Sequence, residues 1–181
     1  MDTLFASAPG FDQPLAVLKH CHDRIRKQLV TLEKLGPHLA SKGADQEAQQ
    51  AANAVIRYFE IAAPLHHEDE EHDLLPTLQT SVHGEDAALL AQLLPRILQQ
   101  HEQMATLWQR LTPQLAAIAQ GSSSELAATA IEQFRALYQE HMQIEETQIA
   151  PMAARIFSSA QMQALGLAMQ ARRAPSPSSS H

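Results

Sequence analysis

The stretch His66-His67-Glu68-Asp69-Glu70-Glu71-His72-Asp73-Leu74-Leu75-Pro76 recurs in thinned form as His141-Met142-Gln143-Ile144-Glu145-Glu146-Thr147-Gln148-Ile149-Ala150-Pro151. Both copies read His-x-x-x-Glu-Glu, four further residues, then Pro. One offset of 75 residues relates His66 to His141, Glu70 to Glu145 and Pro76 to Pro151, and a Phe stands seven residues before each His, at Phe59 and Phe134. On a helix, residues i and i+4 leave the same face one turn apart. Each copy therefore sets an imidazole beside a carboxylate. A chain that carries this pair twice is suited to a helical bundle with a metal site in its core.

The rest of the composition agrees with helices. Ala, Leu and Gln dominate and aromatic residues make up 4%, a balance that favours helix over sheet. At 181 residues, one domain with its own core is expected. The formal net charge of −7 disfavours nucleic acid as a partner. One Cys excludes an internal disulfide and fits a reducing, cytoplasmic compartment. Residues 1–10 have neither a basic segment nor an apolar run, so neither a signal peptide nor a membrane span is expected.

Along the chain, residues 1–11 read as an irregular arm, residues 12–172 as the bundle and residues 173–181 as a disordered Ser/Pro tail. The first helix starts near Pro14, with Gly36-Pro37 a candidate bend, and ends at a turn over 41–45 with Asp45 as N-cap of the second. The second runs from about 46 to 79, with a kink expected at Pro64. The third starts near Asp86, with Pro95 a candidate break. A capping box from Ser122 to Glu125 should open the fourth, which reaches about Ile156. A short fifth helix follows to about Arg172. The first and third helices share an inner stripe: Leu15, Leu18, His22, Ile25, Leu29, Leu32 against Leu94, Ile97, His101, Met104, Trp108, Leu111. The expected fold is all-α: an up-and-down four-helix bundle with a short additional C-terminal helix.

Turn positions test whether the singled-out residues can meet. In an up-and-down bundle, residues at one height lie equally far from the turn between them. Ala44 is midway between His22 and His66, and Gly121 is midway between His101 and His141. Gly84 lies beside the midpoint between the His66–Glu70 pair and His101. His22, His66, Glu70, His101, His141 and Glu145 are thus expected in one layer. The shifted pair His67 and Glu71 is also spaced i, i+4, but the second copy has Met142 and Glu146 there. His20, His38, His67, His72, His83 and His181 read as surface residues, and the acidic run from Glu68 to Asp73 as a solvated face apart from Glu70. Cys21 points about 100° away from His22 on the helix and is not expected to bind metal.

Four imidazoles and two carboxylates in one layer suit two metal ions. If both carboxylates bridge, each ion receives four protein ligands, and an octahedral iron or manganese keeps positions for an external molecule. Zinc also suits four ligands. Phe59, Phe134, Trp108 and Met104 read as core, compatible with lining a small-molecule pocket, and Tyr138 stands one turn before His141.

Over residues 12–156 the chain resembles the hemerythrin-like, or HHE cation-binding, domain. The resemblance rests on His22, on His66-x-x-x-Glu70-Glu71 ending at Pro76, on His101, and on His141-x-x-x-Glu145-Glu146 ending at Pro151. The four-His, two-Glu set resembles the subgroup of di-iron proteins that repair iron centres under nitrosative stress. The resemblance implies a non-haem centre of two iron ions that takes dioxygen, nitric oxide or peroxide, with a redox or iron-acceptor protein as a possible partner. Oxygen-carrying hemerythrins have a further His where this chain has Ala105, and an Asp five residues after the last His where this chain has Glu145 after four. The repair proteins add a cysteine-bearing N-terminal domain that this sequence does not contain. Iron storage or donation, and a structural metal bundle, are the alternative readings.

Overall fold

A computed structural model describes residues 8–174 of the protein. Residues 1–7 of the expected arm and 175–181 of the expected tail, His181 included, lie outside the described residues. Among the described residues, five helices make up an up-and-down bundle: α1 (Pro14–Lys42), α2 (46–81), α3 (Gly84–Ala119), α4 (128–156) and α5 (Ser159–Arg173). Local chemistry marks most boundaries. Pro14 opens α1 where its missing N–H has no intrahelical partner to lose. Asp45 caps α2 by accepting the Ala48 N–H at 2.9 Å. Gly43 and Gly121 take φ of +70° at the ends of α1 and α3, a conformation that costs a side chain about 1–2 kcal/mol. Ser158 and Gln161 cap α5 reciprocally.

Ser122 and Glu125 do not open α4, which begins at Ala128. The Ser122 hydroxyl donates back to the Ala117 carbonyl, and the Glu125 N–H donates to Ser123 Oγ, so these residues spend their bonds within the turn. Pro95 does not divide α3, and Gly36-Pro37 does not break α1. Pro37, Pro95 and Pro113 all lie on solvent-facing positions, as do Glu33, Ala91 and Gln109, whose carbonyls each proline frees. Water can take over those acceptors.

Pro64, Pro76 and Pro151 are handled differently. Each follows a five-residue π turn: Tyr58–Ala62, Glu70–Leu74 and Glu145–Ile149. The residue before each proline donates five positions back, Ala63 to Tyr58, Leu75 to Glu70 and Ala150 to Glu145. The extra residue in the turn moves the proline ring off the preceding carbonyl, and the kink expected at Pro64 takes this form. Two of the three turns begin at the repeated glutamates.

The apolar side chains divide into two clusters along the bundle. One holds Ile25, Leu29, Leu32, Phe59, Leu111 and Phe134 among others, and the other holds Leu18, Leu74, Leu78, Ile97, Ile149 and Met152. The repeated phenylalanines touch edge to face, with Phe59 and Phe134 centroids 5.0 Å apart. The histidine and glutamate layer lies between the two clusters.

α5 closes over α1 and α2. Gly166 lets it approach the segment before α1, since a Cβ there would meet the Phe11 carbonyl oxygen at 1.9 Å. Asp69, expected on a solvated face, is instead 0% exposed. It accepts from Arg172 and, at 2.5 Å, from Arg173 Nη2, while Asp73 accepts from Arg172 at 2.6 Å. The acidic run is therefore partly the seat of α5. The two guanidiniums keep some contact with water and Asp69 keeps none, so the pairing is asymmetric. Removing both arginines strands a buried carboxylate, a loss of about 3–5 kcal/mol, whereas Asp69→Asn leaves cations that water can reach. Urea unfolding should show a larger drop for the double variant Arg172→Met/Arg173→Met than for Asp69→Asn. The reverse order would contradict this account of α5 docking.

Candidate metal centre

The six residues arrive from four helices: His22 from α1, His66 and Glu70 from α2, His101 from α3, His141 and Glu145 from α4. All six are buried. His66 Nε2 lies 2.9 Å from Glu70 Oε1, and His22 Nε2 lies 3.1 Å from Glu145 Oε2 and 3.9 Å from Glu70 Oε1. On the other side, His101 Nε2 is 3.3 Å from Glu70 Oε2, and His141 Nε2 is 3.3 Å from Glu145 Oε2. The His101 and His141 Nε2 atoms face each other at 3.3 Å. The cluster resolves into two sets of four, His22-His66-Glu70-Glu145 and Glu70-His101-His141-Glu145, with ligand-capable atoms within 4.8 Å of one another in each. Both sets share the two glutamates.

The outer ring nitrogens decide what faces inward. His22 Nδ1 lies 3.0 Å from Glu146 Oε1, and His101 Nδ1 lies 2.5 Å from Glu71 Oε1. An ionised carboxylate only accepts, so each Nδ1 carries the proton and donates. The neutral ring then turns a lone pair inward from Nε2, toward carboxylate oxygens that are also acceptors. His141 Nδ1 lies 3.3 Å from Gln100 Oε1 and follows the same pattern. Acceptor facing acceptor in a buried layer requires a cation between them. Further buried atoms await a partner: His66 Nε2, which faces Glu70 Oε1 without hydrogen-bonding geometry, together with Glu70 Oε2 and Glu145 Oε1. These orphaned atoms and the donor chemistry fit a metal ion.

Without an ion, protons have to compensate. Burial works against a charged His22, but the Glu145 and Glu70 carboxylates outweigh it and raise its pKa from 6.5 to about 9. His66 is also held well above its usual value, burial being overcome chiefly by the Glu70 charge. Burial and the Glu70 charge push Glu145 up to about 7, while Glu70 is held well below its usual value because surrounding histidines overcome its burial. His141 falls to about 3, through burial and the charges of its neighbouring histidines.

Several side chains around the layer carry no metal-site signal in the sequence. Glu71 and Glu146, the second glutamates of the repeat, orient His101 and His22 across the bundle rather than on their own helices, and Arg26 in turn holds Glu146 at 2.9 Å. Gln100 is buried on the α3 stripe, three residues after Ile97 and four before Met104. His67 is not a surface residue. Its ring stacks on His101 with centroids 4.1 Å apart, and its Nε2 is buried without a partner. Burial and the His101 charge hold it neutral, well below its usual pKa. Of the other expected surface histidines, His72 and His83 are exposed, and His20 and His38 are half-buried, with His38 against Asp45 at 2.8 Å. Cys21 is free and half-buried, next to His66.

Two cavities of about 380 Å³ reach the cluster. One is lined by Phe59, His67, His101, Met104, Trp108 and Tyr138 among others, the other by Leu15, Leu18, Lys19, His22, Glu70 and Glu145 among others. Among the described residues, no helix is long and apolar enough to cross a membrane.

A bundle of this topology around a shared His/Glu layer is the architecture of a cation-binding helical domain. A family model for the hemerythrin HHE cation binding domain matches residues 8–153, and the chain belongs to that family. A protein of Haemophilus influenzae named only as uncharacterized is 28% identical to it over 163 residues, which span 90% of this chain and 91% of the relative.

Two outcomes check the site. Glu70→Ala and Glu145→Ala should each lose more metal than Glu71→Ala or Glu146→Ala, whose loss is expected at about 10–100-fold in affinity. His22→Ala should lose metal and His20→Ala should not. Elemental analysis after desalting reads both, and equal loss from Glu71→Ala would favour the shifted pair His67 and Glu71. The second outcome is the pH dependence of the metal-free protein. The folded layer binds more protons than the unfolded chain wherever a pKa is raised, so His22 contributes stability that is full below 6.5 and lost as pH rises through about 9. His66 has the same sign, and the depressed groups Glu70 and His141 act only at lower pH. The thermal midpoint of metal-free protein should fall between pH 7 and pH 9; a flat or rising midpoint would contradict the proton-filled layer.

Proposed function

We propose that His22, His66, Glu70, His101, His141 and Glu145 ligate two iron ions, with Glu70 and Glu145 bridging, and that the protein binds or reacts with dioxygen, nitric oxide or peroxide in sensing or resisting oxidative and nitrosative stress. The observation that carries this reading is the division of one buried layer into two four-residue sets that share both carboxylates. Two imidazole nitrogens and two carboxylate oxygens for each ion form a hard-to-borderline donor set without thiolate, which suits iron or manganese and also admits zinc. When bound, the iron pair would supply one-electron chemistry and open positions for a small external molecule.

The chain's own residues do the rest. Glu71, Glu146 and Gln100 fix the ring orientations of His101, His22 and His141. Phe59, Met104 and Trp108 give one approach to the layer an apolar wall, which admits small uncharged molecules more readily than ions. Tyr138 lines the same cavity, and burial holds its hydroxyl protonated, far above its ordinary value. His67 lines that cavity as well, and rapid repeated turnover would still need a partner to supply electrons. The free Cys21 is consistent with a reducing, cytoplasmic setting. Storing or donating iron would use the same six ligands, but it does not call for an apolar cavity beside them.

Protein produced in iron-rich medium should retain about two iron atoms per chain through desalting. Anaerobic addition of nitric oxide to the reduced protein should change its optical spectrum, and dioxygen should oxidise a separate reduced sample. One tightly held zinc with no capacity for iron would reject the di-iron reading. Two irons with no response to either gas would leave storage or a structural metal as the better account.

A further inference from the structure

His67 belongs to neither four-residue set, yet a nitrogen of its ring lies within 4.8 Å of ring nitrogens of His101 and His141. Its Nε2 is buried and makes no hydrogen bond. An ion held by His101 lies close to the plane of that ring, along the nitrogen lone pair. The His67 and His101 planes are within 14° of parallel with centroids 4.1 Å apart. Two stacked, parallel rings do not share an in-plane point, so His67 in this position is not a further ligand to the ion that His101 would hold. It sits instead over the His101 ring, on the wall of the cavity formed with Phe59, Met104, Trp108 and Tyr138. The remainder of that wall combines apolar side chains such as Ala105 and Phe134 with the carboxylates of Glu68, Glu71 and Glu102. The outer nitrogen of His101 is already occupied by Glu71.

We propose that His67 recognises the external molecule: its unpartnered Nε2–H donates a hydrogen bond to a small, hydrogen-bond-accepting ligand held at the His101–His141 side of the centre. The inference rests on the di-iron reading above and adds to it which side of the pair the ligand occupies and what it must offer. A ligand with an exposed accepting end, such as peroxide or azide, gains this bond. Nitric oxide is a poor acceptor and gains little from it. His67 thus biases the cavity on that side toward reduced oxygen species.

The test compares the iron-loaded wild-type protein with His67→Leu and His67→Gln, using azide as the probe on the oxidised form and nitric oxide on the reduced form. Both variants should keep the wild-type iron content and thermal midpoint. His67→Leu should bind azide about tenfold more weakly, the worth of one hydrogen bond. His67→Gln, which keeps a donor, should recover most of that loss. Nitric oxide affinity should not change in either variant. Unchanged azide affinity in His67→Leu at full iron content would overturn the role of His67 and leave the di-iron reading standing. Loss of iron in that variant would make His67 a ligand and overturn the proposal. Equal weakening of azide and nitric oxide in both variants would mark a packing role and overturn it too. Wild-type protein that takes up no iron, or that loads iron and does not respond to azide, would remove the underlying reading and the proposal with it.

Discussion

The protein is built around a buried confrontation of acceptors. Glu146 and Glu71 accept hydrogen bonds from the outer N–H groups of His22 and His101, which turns the inner lone pairs toward Glu145 and Glu70. Such an arrangement is repulsive in a low-dielectric interior and persists only if positive charge lies between the groups. Protons can supply it in part, which is why His22 and His66 hold theirs so far above neutral pH and Glu145 is pushed up toward neutrality. A metal ion supplies it in full. The outer carboxylates support the inner ones, because they determine which way the His22 and His101 imidazoles face.

The rest of the fold tolerates this layer by enclosing it. Apolar clusters pack above and below it, and each histidine occupies a position on its helix that would otherwise belong to the core stripe. The π turns place the repeated glutamates where the helix widens, with the chain re-entering α-helix just before Pro76 and Pro151. α5 engages a third buried carboxylate, Asp69 of α2, next to Glu70 in sequence but turned away from the layer, onto Arg172 and Arg173. Glu70 is therefore held from both sides of its helix, by the layer and, through its neighbour, by the C-terminal helix.

Much of this could be read before the coordinates. A repeat at constant offset, matching stripes on two helices and three turns at the right midpoints were enough to bring six side chains from four helices to one height, and they do meet there. Hidden from that reasoning was everything set by contact across the bundle. Glu71 and Glu146 look like solvated neighbours of the important residue, and their partners are 30 and 124 positions away. Asp69 reads as one more charge in an acidic run until Arg172 and Arg173 are seen against it. His67 looked exposed because periodicity puts it off the inner face, but its ring folds over His101. The prolines act through surroundings that spacing does not show: Pro95 sits where water can replace the lost bond and does not divide its helix, whereas the kink expected at Pro64 takes the form of a π turn.

The central claim is that Glu70 and Glu145 are shared between two ions in this layer. Anomalous diffraction from crystals of iron-loaded protein, collected on both sides of the iron absorption edge, addresses it directly. The account predicts two iron peaks per chain, one against His22 and His66 and the other against His101 and His141, with both glutamates touching both. A single peak, or two peaks of which either lacks one of these carboxylates, would contradict it.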